Sequence, residues 1–139
     1  MHHSLLDGLR ILIVEDEFLI AMDVEQVCRD HGAADVVIAK NVDGFATEPF
    51  ASEPLDLAIL DIRLGGGTTL DFAWQLRSRG VPFIFATGYV DEEGLFAHTD
   101  RDFGNVPVLM KPFTAVELVE ALGSAISSVE TVQGEKVQG

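Results

Sequence analysis

The groups that could do chemistry in this 139-residue chain fall in short polar clusters, each directly after an apolar run: Glu15-Asp16-Glu17, Asp61-Ile62-Arg63, Thr87-Gly88-Tyr89 and Lys111-Pro112-Phe113. If the carboxylates of Glu15, Asp16 and Asp61 came within about 4 Å, each pair would repel by roughly 4 kcal/mol at an effective dielectric of about 20. A divalent cation would neutralise them. An all-oxygen donor set with room for water suits Mg2+ or Mn2+ at about 2.0 to 2.1 Å, and no Cys or His pair argues for zinc. Lys111 adds a movable positive charge that could meet an anion, and Thr87 adds a hydroxyl. Together these are the parts of a phosphoryl-transfer site, where positioning and charge neutralisation matter more than a general base. Asp61 is the best nucleophile, forming an aspartyl phosphate, because it follows directly on Leu57-Ala58-Ile59-Leu60. Glu15 and Asp16 are adjacent acids better placed as metal ligands.

Those clusters need elements to carry them to one place. Arg10–Val14, Asp35–Ala39, Leu55–Leu60, Pro82–Ala86 and Val106–Met110 have strand length and β-branched content. The first, third and fourth are nearly continuous in hydrophobicity, as expected of strands covered on both faces of a parallel sheet. Helical spacing appears in Ile20, Val24, Val27 and Cys28, and again in Ala115, Leu118, Val119, Leu122 and Ile126. The second of these helices opens on Thr114-Ala115-Val116-Glu117, a capping-box pattern. Thr68 or Thr69 could cap a helix to about Arg79 with Leu70, Ala73 and Trp74 inward, and Gly80 is placed to stop it. A shorter helix is expected from Val42 towards Glu48. A weak or frayed fourth helix is expected within Asp91 to Asn105, where Gly94, His98, Thr99, Asp100 and Gly104 lower helix propensity. Strands alternating with helices, joined by right-handed crossovers, give a doubly wound α/β sandwich with a five-stranded parallel sheet. In such a sheet a ligand site lies beyond the carboxyl ends of the strands, where all four clusters sit.

Composition narrows the function further. A chain of this length is about one domain, and 47% hydrophobic content agrees with a folded core. The net charge of −14 would repel a nucleic-acid backbone or an anionic membrane, so neither is expected as a partner. The longest stretch without Asp, Glu, Lys or Arg, Gly80 to Val90, falls far short of the roughly 20 residues that cross a bilayer. No basic region followed by a long apolar run opens the chain, and Cys28 is its lone cysteine, so a cytoplasmic protein is expected. Cys28 reads as a small buried hydrophobe. His2 and His3 read as a tag remnant, and His31 and His98 as surface residues.

Ordered on successive strand ends, Ile11-Leu12-Ile13-Val14-Glu15-Asp16-Glu17, Leu60-Asp61, Thr87-Gly88 and Lys111-Pro112-Phe113 resemble the receiver domain of two-component response regulators. The resemblance runs from about Leu9 to Val129. It divides the chain into an N-terminal extension at residues 1–8, a receiver at residues 9–129 and a polar C-terminal tail at residues 130–139. It implies the flavodoxin-like strand order 2-1-3-4-5 and a cis bond before Pro112. It also implies that Asp61 takes phosphate from a sensor histidine kinase or phosphotransfer protein, that Glu15 and Asp16 help to hold Mg2+, that Thr87 bonds the phosphoryl oxygen and that Lys111 ion-pairs with it. Pro82-Phe83-Ile84-Phe85-Ala86-Thr87-Gly88-Tyr89, with Gly65-Gly66-Gly67 after Asp61, is similar to the FAT GUY subgroup, often found as single domains. Two departures from the ordinary pattern accompany it. Gly65 stands where a proline is usual, and Val108 replaces the usual switch aromatic, which leaves Tyr89 as the switch candidate.

The expected function is therefore a stand-alone, Mg2+-dependent receiver. It would be no enzyme beyond its own phosphotransfer and autodephosphorylation, and would signal to an unknown downstream protein or act as a phosphate sink. Two other readings compete. A haloacid dehalogenase-like phosphatase also uses a strand-end aspartate, but it wants a second Asp where Arg63 stands. An inactive receiver-fold binding module would keep the fold without the chemistry. Arg63 reads either as a loop charge or as a group that influences water near the acyl phosphate. Gly65-Gly66-Gly67, lacking the residues of a P-loop, reads as a flexible loop beside the site.

Overall fold

The computed structural model describes residues 4–42, 54–64, 67–88 and 103–138, with side chains of the last helix described to Ser128. In chain order the elements are β1 (Arg10–Val14), α1 (Phe18–Asp30), β2 (Asp35–Ala39), β3 (Leu57–Asp61), β4 (Arg63–Leu64), β5 (Gly67–Thr68), α2 (Leu70–Ser78), β6 (Phe83–Thr87), β7 (Val108–Met110) and α3 (Ala115–Gln138). Five strands form one parallel sheet in the order β2-β1-β3-β6-β7, and β4 and β5 form a separate antiparallel pair. Counting only the main sheet, this is the expected flavodoxin-like order.

Alternation along the central strands explains why their sequences are apolar at nearly every position. Ile11 and Ile13 of β1, Leu57 and Ile59 of β3, and Ile84 and Ala86 of β6 pack with α1 and α3 on one face. Leu12 and Val14, Ala58 and Leu60, and Phe83 and Phe85 pack with α2 and Phe103 on the other. Both faces are dry, as a parallel sheet requires. The outer strands β2 and β7 are partly exposed. β7 is shorter than the apolar run that predicts it, because Pro107 has no N–H for the ladder and offers only its carbonyl, to Phe85 N–H at 3.0 Å.

The helix ends follow local rules. Glu117 N–H donates to Thr114 Oγ1 at 3.1 Å and Thr114 N–H donates to Glu117 Oε1 at 2.9 Å, the expected capping box. Gly80, at φ 74°, closes α2: its N–H donates to the Arg77 carbonyl and that of Val81 to the Leu76 carbonyl, each at 3.0 Å. Gly32, at φ 99°, closes α1 with the same pair of bonds, from its own N–H to Arg29 and from Ala33 to Cys28. Cys28 is buried, and burial, with Glu25 nearby, pushes its thiol up to about 12. It is an inert core residue.

Several expectations need correction. α2 buries Phe72, Ala73 and Leu76, while Trp74 is 46% exposed. The phase is set by Thr69, Phe72, Ala73 and Leu76 at i, i+3, i+4 and i+7, which leaves Trp74 at the margin, packed on Phe103 with the Arg77 guanidinium 5.6 Å from its ring centre. Ala115 is exposed, and the inward stripe of α3 is Leu118, Ala121, Leu122 and Ala125. The polar residues from 130 on lie in the same helix as the inward stripe, and that helix runs to Gln138. Residues 4–8, expected as an extension, are packed: Leu6 is fully buried and its N–H donates to the His31 carbonyl. The short helix after Val42, the fourth helix (before Phe103), His2, His3 and His98 lie outside the described residues, as do Gly65, Gly66 and Tyr89.

Gly32 needs its left-handed conformation, and a Cβ there would also run into the side chain of Asp7. Gly32→Ala is expected to cost about 1 to 2 kcal/mol. Gly67→Ala, where a Cβ meets nothing within 4 Å, should stay within about 0.5 kcal/mol of wild type, both variants being read by urea titration.

Candidate functional site

Strand register brings the charged groups together. Val14 is level with Leu60, so Glu15 and Asp61 are the next residues on adjacent strands. Asp61 is level with Ala86 on β6, and Thr87 with Met110 on β7, so Lys111 follows just beyond. Glu15, Asp61 and Lys111 carry the parity of Ile13, Ile59 and Leu109, the residues directed towards α1 and α3. Lys111 has a long stem and reaches back across the strand ends. The Lys111–Pro112 bond is cis.

Lys111 Nζ donates to Glu15 Oε1 at 2.5 Å and to Asp61 Oδ2 at 3.0 Å. Glu15 and Asp61 are each only 5% exposed, and the Lys111 side chain only 12%. The second oxygens of both acids are held by backbone: Glu15 Oε2 accepts from Glu17 N–H at 3.1 Å, and Asp61 Oδ1 from Arg63 N–H at 3.2 Å. Asp16 is exposed, and one carboxylate oxygen from each of Glu15, Asp16 and Asp61 lies within 4.8 Å of the others. A hard cation of the Mg2+ or Mn2+ type fits that all-oxygen donor set. A cleft of about 290 Å³ opens over the cluster, lined by Asp16, Glu17, Asp61, Arg63, Gly88 and Lys111.

Of the expected site residues, Glu15, Asp16, Asp61 and Lys111 meet. Thr87 is at the same edge but in a different position: it is buried, has the parity of Phe83 and Phe85 towards the opposite face, and Gly88 rather than Thr87 lines the cleft. Its carbonyl accepts the Lys111 N–H at 2.8 Å, which fixes where the lysine stem begins. Two contributions escape a reading of charges alone. Glu17 serves through its backbone, and the loop after Asp61 folds back as the β4–β5 hairpin instead of remaining open, with Arg63 opposite Thr68 and Leu64 opposite Gly67. A Gly-Gly pair between two short runs is a hairpin signal, which the reading of Gly65-Gly66-Gly67 as a flexible loop leaves aside.

Burial raises the Asp61 and Glu15 carboxyls above their ordinary values, and the hydrogen bonds from Lys111 offset only part of that. Burial alone would lower Lys111, yet its bonds to Glu15 and Asp61 outweigh it and hold the ammonium above its ordinary value of 10.5. The folded protein thus binds protons at the two acids more tightly than the unfolded chain. Their contribution to stability falls as pH rises from ordinary carboxylate values through the raised ones. The Lys111 contribution is fully present below 10.5 and is lost as pH rises through its raised value.

Asp61→Asn is therefore expected to gain stability relative to wild type as pH goes from 4 to 7, read from paired urea titrations without divalent metal. Lys111→Met leaves two buried carboxylates without their cation and should cost about 3 kcal/mol at pH 7. That cost should shrink towards pH 4.

The family described as response regulator receiver domain matches residues 11–123. The transcriptional regulatory protein PdtaR of Mycobacterium tuberculosis is 29% identical over 131 residues, 91% of this chain and 62% of PdtaR, so the chain spans under two thirds of that relative. Among solved structures, SdrG from Sphingomonas melonis Fr1 is 38% identical, with a TM-score of 0.66 over 86% of this chain and 97% of SdrG. A CheY-like receiver domain protein from Methanospirillum hungatei JF-1 is 28% identical, with a TM-score of 0.72 over 90% of this chain and 98% of that one. With the match spanning β1 to the body of α3, the chain belongs to the response regulator receiver domain family.

Proposed function

We propose that this receiver accepts a phosphoryl group on Asp61 from a phosphohistidine of a sensor kinase or phosphotransfer protein, in a Mg2+-dependent reaction. The observation that carries this reading is the convergence of one carboxylate oxygen each from Glu15, Asp16 and Asp61 within 4.8 Å of one another beside the Lys111 ammonium. An Asp61 carboxylate oxygen forms the new bond to phosphorus. The phosphorus–nitrogen bond to the donor imidazole breaks, and its electron pair leaves with the imidazole nitrogen, which takes a proton from solvent. Water later cleaves the acyl phosphate and restores the carboxylate and inorganic phosphate.

Bound Mg2+ would supply positive charge to the phosphoryl oxygens, with Glu15, Asp16 and Asp61 as the residues that hold it. Lys111 must exchange one carboxylate for the incoming phosphoryl group, and its two present bonds place the ammonium at the mouth of the cleft for that exchange. The Arg63 N–H orients the Asp61 carboxylate through Oδ1. Thr87, at the end of β6 with the parity of the opposite face, would have to turn its hydroxyl towards the cleft to bond a phosphoryl oxygen. Arg63 at the second position after the nucleophile supports a receiver over a dehalogenase-like phosphatase, which needs an acid there. The run Phe85-Ala86-Thr87-Gly88-Tyr89 supports a place in the FAT GUY subgroup, with Tyr89 as the switch residue. Output then passes by protein–protein contact or ends in a phosphate sink, and the charge of −14 supports a protein partner over DNA.

Incubation with phosphoramidate and Mg2+ should add one phosphoryl group to wild type by intact mass and none to Asp61→Asn. Chelation of the metal should suppress the reaction. Equal labelling of both proteins would overturn the proposal. Asp16→Asn is expected to weaken Mg2+ binding about tenfold or more, measured by isothermal titration calorimetry.

A further inference from the structure

The backbone of Asp61 is held as firmly as its side chain. Thr69 Oγ1 donates to the Asp61 carbonyl at 2.7 Å, and Thr69 N–H donates to the Ile62 carbonyl at 2.9 Å. The Thr69 carbonyl in turn accepts the Ala73 N–H at 2.9 Å, an opening bond of α2. Thr69 is 0% exposed. One residue therefore ties the acceptor, the base of the β4–β5 hairpin and the start of the helix together.

What the hydroxyl leaves undone is equally informative. Thr69 is the N-cap of α2, where a threonine hydroxyl ordinarily accepts a bond from an amide of the first turn, worth about 1 kcal/mol. It makes no such bond here. Its hydroxyl donates to the Asp61 carbonyl, and the Leu70 N–H of the first turn is left to Thr68 Oγ1 at 3.4 Å.

We propose that Thr69 is a positioning residue for Asp61. The inference rests on Asp61 being the phosphoryl acceptor. With its carbonyl pinned, the Asp61 peptide cannot rotate, which fixes the direction of the side chain and keeps the Arg63 N–H on Oδ1. Without the hydroxyl, the buried carbonyl loses a partner, the turn through Ile62 loosens and the carboxylate wanders from the line of attack. A misplacement of about 1 Å can cost about a hundredfold in rate.

The test compares Thr69→Val, which keeps the shape and removes the donor, with Thr69→Ser, which keeps the donor and removes a methyl. In Thr69→Val the maximal rate of phosphorylation by phosphoramidate should fall about tenfold or more, while half-saturating Mg2+ stays within about twofold. Hydrogen exchange at the Arg63 amide should speed up at least about tenfold, and Thr69→Ser should restore both to within about threefold. Equal losses in the two variants, or a Thr69→Val protein with wild-type rate and Arg63 exchange, would overturn the inference. If Thr69→Val fails to fold, Thr69→Ala takes its place in the comparison. If wild type itself takes no phosphoryl group, the proposed function falls, and the Arg63 amide decides the role of Thr69 alone.

Discussion

An ammonium held between two buried carboxylates is the constraint on which the rest depends. Lys111 bonds Glu15 and Asp61 at once, and with Asp16 nearby the cluster keeps an excess of negative charge. Desolvation raises both acids even with the lysine in place. The cluster is thus a costly arrangement held by the surrounding fold, since breaking such a pair leaves an uncompensated charge in a low-dielectric setting. Its residual negative charge is also what makes a divalent cation a fitting addition.

Holding those groups requires strands to finish at one level. β1 and β3 are neighbours in parallel register, so Glu15 and Asp61 leave the sheet side by side without any loop to arrange them. β7 lies two strands from β3, across β6, and its contribution has to be a long side chain. A shorter cation carrier at position 111 could not span β6. The backbone bond from Lys111 N–H to the Thr87 carbonyl fixes the stem of that reach. The apolar continuity of β1, β3 and β6 therefore serves the site as well as the core: two covered faces hold the strand ends rigid while the polar residues begin at the first positions beyond them.

Whatever depends on period and punctuation was legible in the sequence. β1 and β2 coincide with their apolar runs, and Gly80 and the Thr114–Glu117 pair mark helix ends as local chemistry says they should. Glu15, Asp16, Asp61 and Lys111 were legible because a strand-end position is a statement about both spacing and place. Trp74 was misread because a half-polar helix of nine residues offers two adjacent stripes, and only the packing of Phe72 and Leu76 chooses between them. Thr87 carried the right residue type at the right strand end, yet side-chain alternation gives it the parity of the opposite face, which type and position do not report. The Thr69 bond was invisible for another reason: a threonine before a helix already has an ordinary task, and nothing in the sequence tells that its hydroxyl is used elsewhere.

Among the described residues several departures from local rules gather around Asp61, and α1 too opens without a side-chain cap, on Glu17. Away from it, α1 and α2 close on left-handed glycines with both bonds made, α3 opens on a complete capping box, and no buried side-chain polar atom lacks a partner among the described residues. Within a few residues of Asp61 the pattern reverses: two acids are buried, a cap hydroxyl is diverted, and the chain makes a hairpin of two-residue strands before it can start a helix. Each of these shares a partner, a bond or a chain segment with the same carboxylate. A chain optimised only for folding would replace the buried charges with apolar residues and cap α2 in the ordinary way. Every one of these features bears on the orientation or the charge of Asp61, which ties the local irregularity of the chain to that one carboxylate.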